Sequence, residues 1–357
     1  MHILHVVGAR PNFMKAAPVM HALRERGVRQ TLVHTGQHYD ADMSDVFFAQ
    51  LGMPAPDVNL EVGSGSHAKQ TAEIMMRFEP VVRERKPDVV LVYGDVNSTV
   101  AAALVCAKLV TKVGHVEAGL RSFDRSMPEE INRLATDQLA DFLFTPSEDG
   151  DVNLKREGIA PEKIHRVGNV MIDSLIRFLP TAQLTRNGTP ERYALVTLHR
   201  PSNVDDGEKL KNILKCLLEV QDRVEVIFPV HPRTRQRIAE FGIDASRLHL
   251  TGPLPYVEFL GLQVRATVVI TDSGGIQEET TYLRVPCLTM RSNTERPITV
   301  SMGTNVLVGS DTGKLKTELL KVLEGKGKVG DIPPLWDGRA GERIADVLTG
   351  REWKKSS

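Results

Sequence analysis

The chain predicts an α/β protein of two Rossmann-like domains, each built on a parallel sheet. Three observations carry that expectation. Short apolar runs rich in β-branched residues recur along the chain, helix-like stretches separate them, and one break divides the series in two. Strands alternating with helices imply parallel sheets covered on both faces. At 357 residues the chain is long enough for two cores. The break, Phe178 to Arg192, is rich in Pro, Thr, Asn and Gly and reads as a linker. The expected division is an N-terminal domain at 1–177, a linker at 178–192, a C-terminal domain at 193–337 and a final helical segment at 338–357. Ligands of such sheets bind beyond the carboxyl ends of the strands, so a cleft between the domains is the expected active site.

In the first half, strands are expected at Ile3–Val7, Thr31–Thr35, Val89–Tyr93, Val113–Val116 and Phe142–Thr145. Helices are expected between them, such as Lys69–Arg85 and Thr99–Leu109. In the second half, strands are expected at Ala194–Thr197, Val224–Pro229, Leu248–Leu250, Val268–Thr271, Cys287–Met290 and Val306–Val308. The tail, Gly338 to Trp353, reads as a helix. No repeat at solenoid spacing and no low-complexity tract is present.

Charge is balanced at 45 basic and 45 acidic residues, so no global field draws the chain to nucleic acid or anionic lipid. The expected partner is a small molecule held by a local cluster. Cys106, Cys216 and Cys287 lie far apart in apolar segments, which suggests buried thiols in a reducing compartment. No apolar run approaches the ~20 residues needed to span a bilayer, and Met1-His2-Ile3 leads straight into a strand. The expectation is a soluble cytoplasmic protein.

The most informative stretch is Thr271-Asp272-Ser273-Gly274-Gly275-Ile276-Gln277-Glu278-Glu279. Val268-Val269-Ile270 leads into it as a buried strand, Ser273-Gly274-Gly275 turns the chain, and a helix follows. Two glycines let a ligand come close, and N–H groups at a helix start favour an anion. Glu279, about one turn in, is placed to reach sugar hydroxyls. A nucleotide with its phosphates on the helix end fits this arrangement; the plain alternative is a capped strand-to-helix turn.

Strand one ends in Gly8-Ala9-Arg10-Pro11-Asn12-Phe13-Met14-Lys15, which matches neither a dinucleotide nor a nucleotide-hydrolase loop. It offers two cations near a helix start, Arg10 with a planar fork and Lys15 as a point charge, unless both are simply solvated. Asp95, in Tyr93-Gly94-Asp95, ends a strand either as a catalytic acid or as a turn and cap residue. Glu117, in His115-Val116-Glu117-Ala118-Gly119, is unusual at a strand end because Glu is rarely buried without a partner. Glu129 and Glu130 follow Pro128, where acids suit the first helical turn. Only one of the two can readily face a cleft. His199 is a candidate hydrogen-bond donor to a leaving phosphate, and His231 is as readily structural as functional. Thr294-Glu295-Arg296-Pro297 adds a charge pair that otherwise reads as a surface salt bridge. The 11 histidines show no metal-ligand spacing, and Gly-x-Ser-x-Gly is missing.

Taken together, these loops resemble the non-hydrolysing UDP-N-acetylglucosamine 2-epimerases. The matching pieces are Gly8-Ala9-Arg10-Pro11, Thr35-Gly36-Gln37-His38, Gly94-Asp95, His115 through Arg121, Pro128 through Arg133, His199-Arg200, Val230-His231-Pro232, Asp272 through Glu279 and Thr294 through Pro297. The resemblance implies a glycosyltransferase-B-like fold, a homodimer, and a last helix crossing back to the first domain. It implies an isomerase that serves polysaccharide biosynthesis, eliminates UDP across C1–C2 of the sugar and adds it back after reprotonation, with no external cofactor or metal. Carried over, Asp95, Glu117 and Glu129 form the acid/base group, with the base among them left open. Arg10, Lys15 and His199 stabilise departing pyrophosphate. Ser273, Gly274 and Gly275 contact phosphate, Glu279 the ribose, Arg296 the diphosphate region, and Phe259 walls the uracil. Leu254 stands where many relatives carry a polar residue, and the connection Ser122–Met127 is shorter than in many bacterial relatives. Competing expectations are a 2-epimerase of another nucleotide sugar (a UDP-diacetamido-glucuronate or another NDP-hexose), a glycosyltransferase of the same fold, a hydrolysing epimerase, and a nucleotide-sugar sensor.

Overall fold

Among the described residues, thirteen strands pair in parallel and form a seven-stranded and a six-stranded sheet. The computed structural model describes residues 1–36, 48, 50–185 and 188–351. Gln37 and His38 of the family motif, 186–187 of the expected linker and 352–357 of the tail lie outside them. The chain divides into two units, Met1–Ser174 with Pro334–Ser357, and Leu175–Pro333.

The first unit holds β1 (His2–Val7), β2 (Arg29–His34), β3 (Val58–Asn59), β4 (Val89–Tyr93), β5 (Lys112–Val116), β6 (Phe142–Thr145) and β7 (Ile164–Arg166), in the order β3-β2-β1-β4-β5-β6-β7. The second holds β8 (Tyr193–Thr197), β9 (Glu225–Pro229), β10 (His249–Thr251), β11 (Val268–Thr271), β12 (Cys287–Thr289) and β13 (Asn305–Leu307), in the order β10-β9-β8-β11-β12-β13. Strand order reverses between β1 and β4 in one sheet and between β8 and β11 in the other. Crevices at such switch points are where open α/β sheets take ligands. The central strands β1, β4 and β11 are buried along their whole length, which is why they are dominated by apolar residues.

Two edge strands escaped the sequence pattern. β3 and β7 span two and three residues with one apolar residue each, which shows neither a run nor a period. The expected linker at 178–192 also needs correction, because its first residues are helical: Val170–Leu184 is one helix. Its buried Ile172, Leu175, Phe178 and Ala182 recur at helical spacing, a stripe masked by Pro180 and Thr181. The boundary between units accordingly falls at Ser174–Leu175, and the first unit resumes at Pro334.

The tail helix is Ala340–Thr349, ended by Gly350 at φ +67°. It packs on helix Arg10–Glu25. The backbone of Gly341 lies against that of Pro18, and Arg26 Nη2 meets Asp346 Oδ1 at 2.7 Å. Asp173 accepts from the N–H groups of Ala340 and Gly341 at 3.1 and 2.7 Å, which anchors the helix start. All three cysteines are buried and unlinked. No helix of the described residues is long and apolar enough to cross a membrane.

Candidate active site

Val6 pairs with Val92 at the first switch point, which sets the loop after β1 beside the loop after β4. Helix Arg10–Glu25 opens in that loop with Pro11 in its first turn. Asn12 holds the loop in shape. Its Oδ1 accepts from the N–H groups of Gly8 and Ala9 at 3.1 Å each, and its Nδ2 donates to the Tyr93 carbonyl at 2.8 Å. Arg10 is exposed at the helix start, where the helix dipole disfavours a cation. Lys15, expected beside it as a second solvated or phosphate-facing cation, is 6% exposed and pairs with the Glu117 carboxylate.

Glu117 follows β5 with φ +75°. A non-glycine residue in that left-handed region costs about 1–3 kcal/mol and persists only where its surroundings hold it. Glu117 is also buried, at 6% exposure, so its charge needs a partner, and Lys15 supplies one. Gly94 lies against both groups. A Cβ at 94 would fall 2.7 Å from Lys15 Nζ and 3.2 Å from Glu117 Oε2, and φ there is +63°. Glycine at 94 therefore lets the turn that carries Asp95 pass against the Lys15–Glu117 pair. His115 Nε2 donates to the Gly94 carbonyl at 2.8 Å, while its Nδ1 faces Asp137 at 2.6 Å and Asp137 meets Arg121 at 2.7 Å. This buried group braces the turn.

The Asp95 carboxylate is about a quarter exposed and pairs with Arg133. Arg133 lies on helix Pro128–Leu139, and its Nη2 also donates to Glu130 at 2.7 Å. Glu130 accepts from Ser122 N–H, Ser122 Oγ and Phe123 N–H at 3.0 Å each. Burial pushes the Glu130 carboxyl up, but the Ser122 N–H and the Arg133 guanidinium outweigh it and hold the group below its ordinary value. Of the two adjacent acids, Glu130 is committed to this internal network. Glu129 is half-buried, and its carboxylate makes no hydrogen bond or ion pair among the described residues.

In the second unit Thr271 pairs with Thr197, so the loops after β8 and β11 are neighbours. The fully buried Asp272 ties them together. Its carboxylate accepts from the N–H groups of His199 and Arg200 at 3.1 and 2.9 Å and from Asn203 Nδ2 at 3.0 Å. It also faces His199 Nδ1 at 3.1 Å, while the imidazole is 41% exposed. A ring held through Nδ1 keeps Nε2 for a second partner. Burial lowers the His199 pKa; Asp272 opposes the shift, and His231 and Arg200 add to it. The His231 ring centroid is 5.9 Å from that of His199, and its Nδ1 accepts from Arg233 N–H at 3.2 Å, capping helix Pro232–Glu240.

Ser273 precedes helix Gly274–Leu283, and its hydroxyl does not cap that helix. A Cβ at Gly274 would fall 2.5 Å from Arg296 Nη1, so glycine admits Arg296 to the helix start. A Cβ at Gly275 would meet nothing within 4 Å, so open space lies over that backbone. Arg296 pairs with Glu278 at 2.9 Å and with Glu295, which also meets Arg291 at 2.7 Å. The charge pair at 294–297 is thus buried, which rules out the alternative of a plain surface salt bridge. Burial pushes the Glu295 carboxyl up, but Arg296 and Arg291 hold it far below the usual carboxylate range. Glu279 is buried and accepts from the Tyr256 hydroxyl at 2.9 Å; burial pushes its carboxyl up to about 7. Phe259 is half-buried and packs into the core cluster of Tyr193, Leu195 and Val269.

Two groups therefore form: Lys15, Asp95 and Glu117 in the first unit, and His199, Ser273, Gly274, Gly275 and Arg296 in the second, with Glu279 one turn into the same helix. Asn12, Arg133, Asp272 and Tyr256 were not singled out as site residues. Asp272 and Arg133 lay within matching motifs, but a helical Arg three residues after a Glu reads as a surface pair until burial is known. Among the described residues no group of three or more His, Cys, Asp or Glu side chains could hold a metal ion.

A family model described as UDP-N-acetylglucosamine 2-epimerase matches residues 21–349. The chain is 42% identical over 364 residues to the UDP-N-acetylglucosamine 2-epimerase of Methanocaldococcus jannaschii, covering 98% of this chain and 99% of that one. It is also 42% identical over 357 residues, with the same coverage, to the UDP-2,3-diacetamido-2,3-dideoxy-D-glucuronate 2-epimerase of Pseudomonas aeruginosa. The crystal structure of the M. jannaschii epimerase in complex with UDP-GlcNAc and UDP superposes with a TM-score of 0.90, covering 98% of this chain and 100% of that one at 42% identity. With a superposition over nearly the whole fold and a family match running from residue 21 to 349, this chain belongs to the UDP-N-acetylglucosamine 2-epimerase family.

Proposed function

We propose that the chain is a non-hydrolysing UDP-N-acetylglucosamine 2-epimerase, an isomerase that interconverts UDP-GlcNAc and UDP-ManNAc. The observation that carries this reading is the buried Lys15–Glu117 pair packed against the Gly94–Asp95 turn. A carboxylate in a strained backbone, with a second acid on the adjoining turn, is suited to moving a proton at carbon.

C2 of the sugar has no adjacent carbonyl to acidify it, so direct deprotonation is too costly. Elimination avoids this. One carboxylate of Asp95, Glu117 and Glu129 takes the C2 proton, the C2–H electrons form the C1–C2 double bond, and the C1–O electrons leave with UDP. Reprotonation of the 2-acetamidoglucal at C2 on the other face, with return of the UDP oxygen to C1, completes the inversion without net redox change. Proton transfer by a placed acid or base contributes ~10²–10⁴-fold. Arg10 and His199 stabilise the diphosphate as it leaves, with Lys15 balancing Glu117 as well. Ser273, Gly274 and Gly275 bind phosphate at the helix start, with Arg296 beside them. Glu279 accepts from ribose hydroxyls, and Phe259 contributes to the uracil wall. The reading requires one substrate to meet both groups. It carries with it a homodimer in the cytoplasm that supplies polysaccharide synthesis; mass measurement in solution tests the dimer.

Incubation with UDP-GlcNAc in D₂O tests the chemistry by NMR. Deuterium at C2 of intact UDP-GlcNAc and UDP-ManNAc is the expected result; release of free N-acetylmannosamine would point to hydrolysis instead. Asp95→Asn, Glu117→Gln and Glu129→Gln should each lower turnover far more than substrate binding, and unchanged rates in all three would refute the assignment. The P. aeruginosa relative favours a second reading, a diacetamido-glucuronate substrate. Turnover of that nucleotide sugar with UDP-GlcNAc inert would select it.

A further inference from the structure

Glu130 is a junction. Its carboxylate accepts from the backbone of Ser122 and Phe123 and from the Ser122 hydroxyl on one side, and from Arg133 Nε and Nη2 at 3.1 and 2.7 Å on the other. Arg133 then reaches Asp95 through Nη1. Both charged members of the junction are nearly inaccessible, Glu130 at 1% and Arg133 at 2% exposure, whereas the Asp95 carboxylate is about a quarter exposed. Burying two such charges is costly and not required for stability, since an apolar pair of similar volume would often serve as well. Asn132, the neighbour of Arg133, donates from Nδ2 to the Asp95 carbonyl at 2.8 Å, so backbone and side chain of Asp95 are held by consecutive residues. Phe123, whose N–H sits on Glu130, has φ +58° and a side chain 75% exposed, an uncommon state for a bulky residue that this bond helps maintain.

We infer that Glu130 and Arg133 are positioning residues for the Asp95 carboxylate, and that they tie its placement to the loop Ser122–Met127. This rests on Asp95 acting in the epimerisation proposed above. The planar fork of Arg133 fixes two carboxylates at once, which a lysine ammonium cannot do with the same geometry. A reacting carboxylate displaced by about 1 Å can lose about 10²-fold in rate.

The test is kinetic, on the full chain, with UDP-GlcNAc. Arg133→Lys and Glu130→Gln should each lower kcat at least 10-fold while KM stays within about 2-fold of the parent. In the Asp95→Asn background, adding Arg133→Lys should cause no further loss, because the group it positions is already disabled. A loss that multiplies with that of Asp95→Asn, a parental kcat in both single variants, or failure of both to fold would overturn the inference by making the role purely structural. Full turnover by Asp95→Asn itself would instead sink the reading on which the inference stands, so the two failures are distinguishable.

Discussion

Glu279 is the residue through which pH should act most visibly on this chain. Its carboxyl titrates at about 7 in the folded state against an ordinary value of 4.5, because burial disfavours the anion. The folded chain keeps a proton that the unfolded chain gives up near pH 4.5. Stability therefore falls as pH rises from about 4.5 to about 7, by about 3 kcal/mol in total, and is flat beyond. Glu279→Gln should be more stable than the parent at pH 8 in urea unfolding, with the difference vanishing near pH 4.5. If the carboxylate accepts from ribose, UDP affinity of the parent should also rise through pH 7, while that of the variant stays level; parallel profiles would exclude the ribose role. That an acid stands at 279, a turn beyond two glycines, is legible in the sequence. The partners are not: Lys15 and Glu117 meet only because β1, β4 and β5 are neighbours in the sheet, and sequence spacing does not state sheet order.

Among the elements, the helix Arg10–Glu25 has most to lose. It bears Arg10 and Lys15 near its start and is covered further along by helix Ala340–Thr349, with Gly341 against Pro18. A Cβ at 341 would sit 2.7 Å from the Pro18 carbonyl oxygen, a contact that backbone alone must relieve. Gly341→Ala should cost about 1–3 kcal/mol, as overpacking does, and should lower kcat more than it weakens UDP binding, since it tilts the helix bearing Lys15. Urea unfolding and UDP titration would check both; a variant as stable and active as the parent would show the contact to be slack. Strands with three or more consecutive apolar residues were legible, β4, β6 and β11 to the residue. β3 and β7 were not, because each carries a single apolar residue and shows neither a run nor a period. Helix Val170–Leu184 was half-hidden because Pro180 and Thr181 signal a loop while its buried stripe continues beneath them.

On the scale of the whole molecule, two doubly wound sheets each present a switch point, and the candidate residues sit at both. The alternation of strands and helices made that fold class legible; the roles of the two units rest on their side chains. If the second unit holds the nucleotide, UDP should slow amide exchange first and most in Ser273–Leu283 and Leu198–Val204. At 100 times Kd it should stabilise the chain by about 2.7 kcal/mol. Protection confined to the first unit would reverse the assignment. The first unit is also discontinuous, its last piece beginning at Pro334 after the whole of the second. During synthesis on the ribosome, the piece that covers Pro18 emerges only after the whole of the second unit. A nascent chain can thus complete its C-terminal lobe while the N-terminal lobe waits with one flank bare, and competence for catalysis arrives only once helix Ala340–Thr349 has followed it.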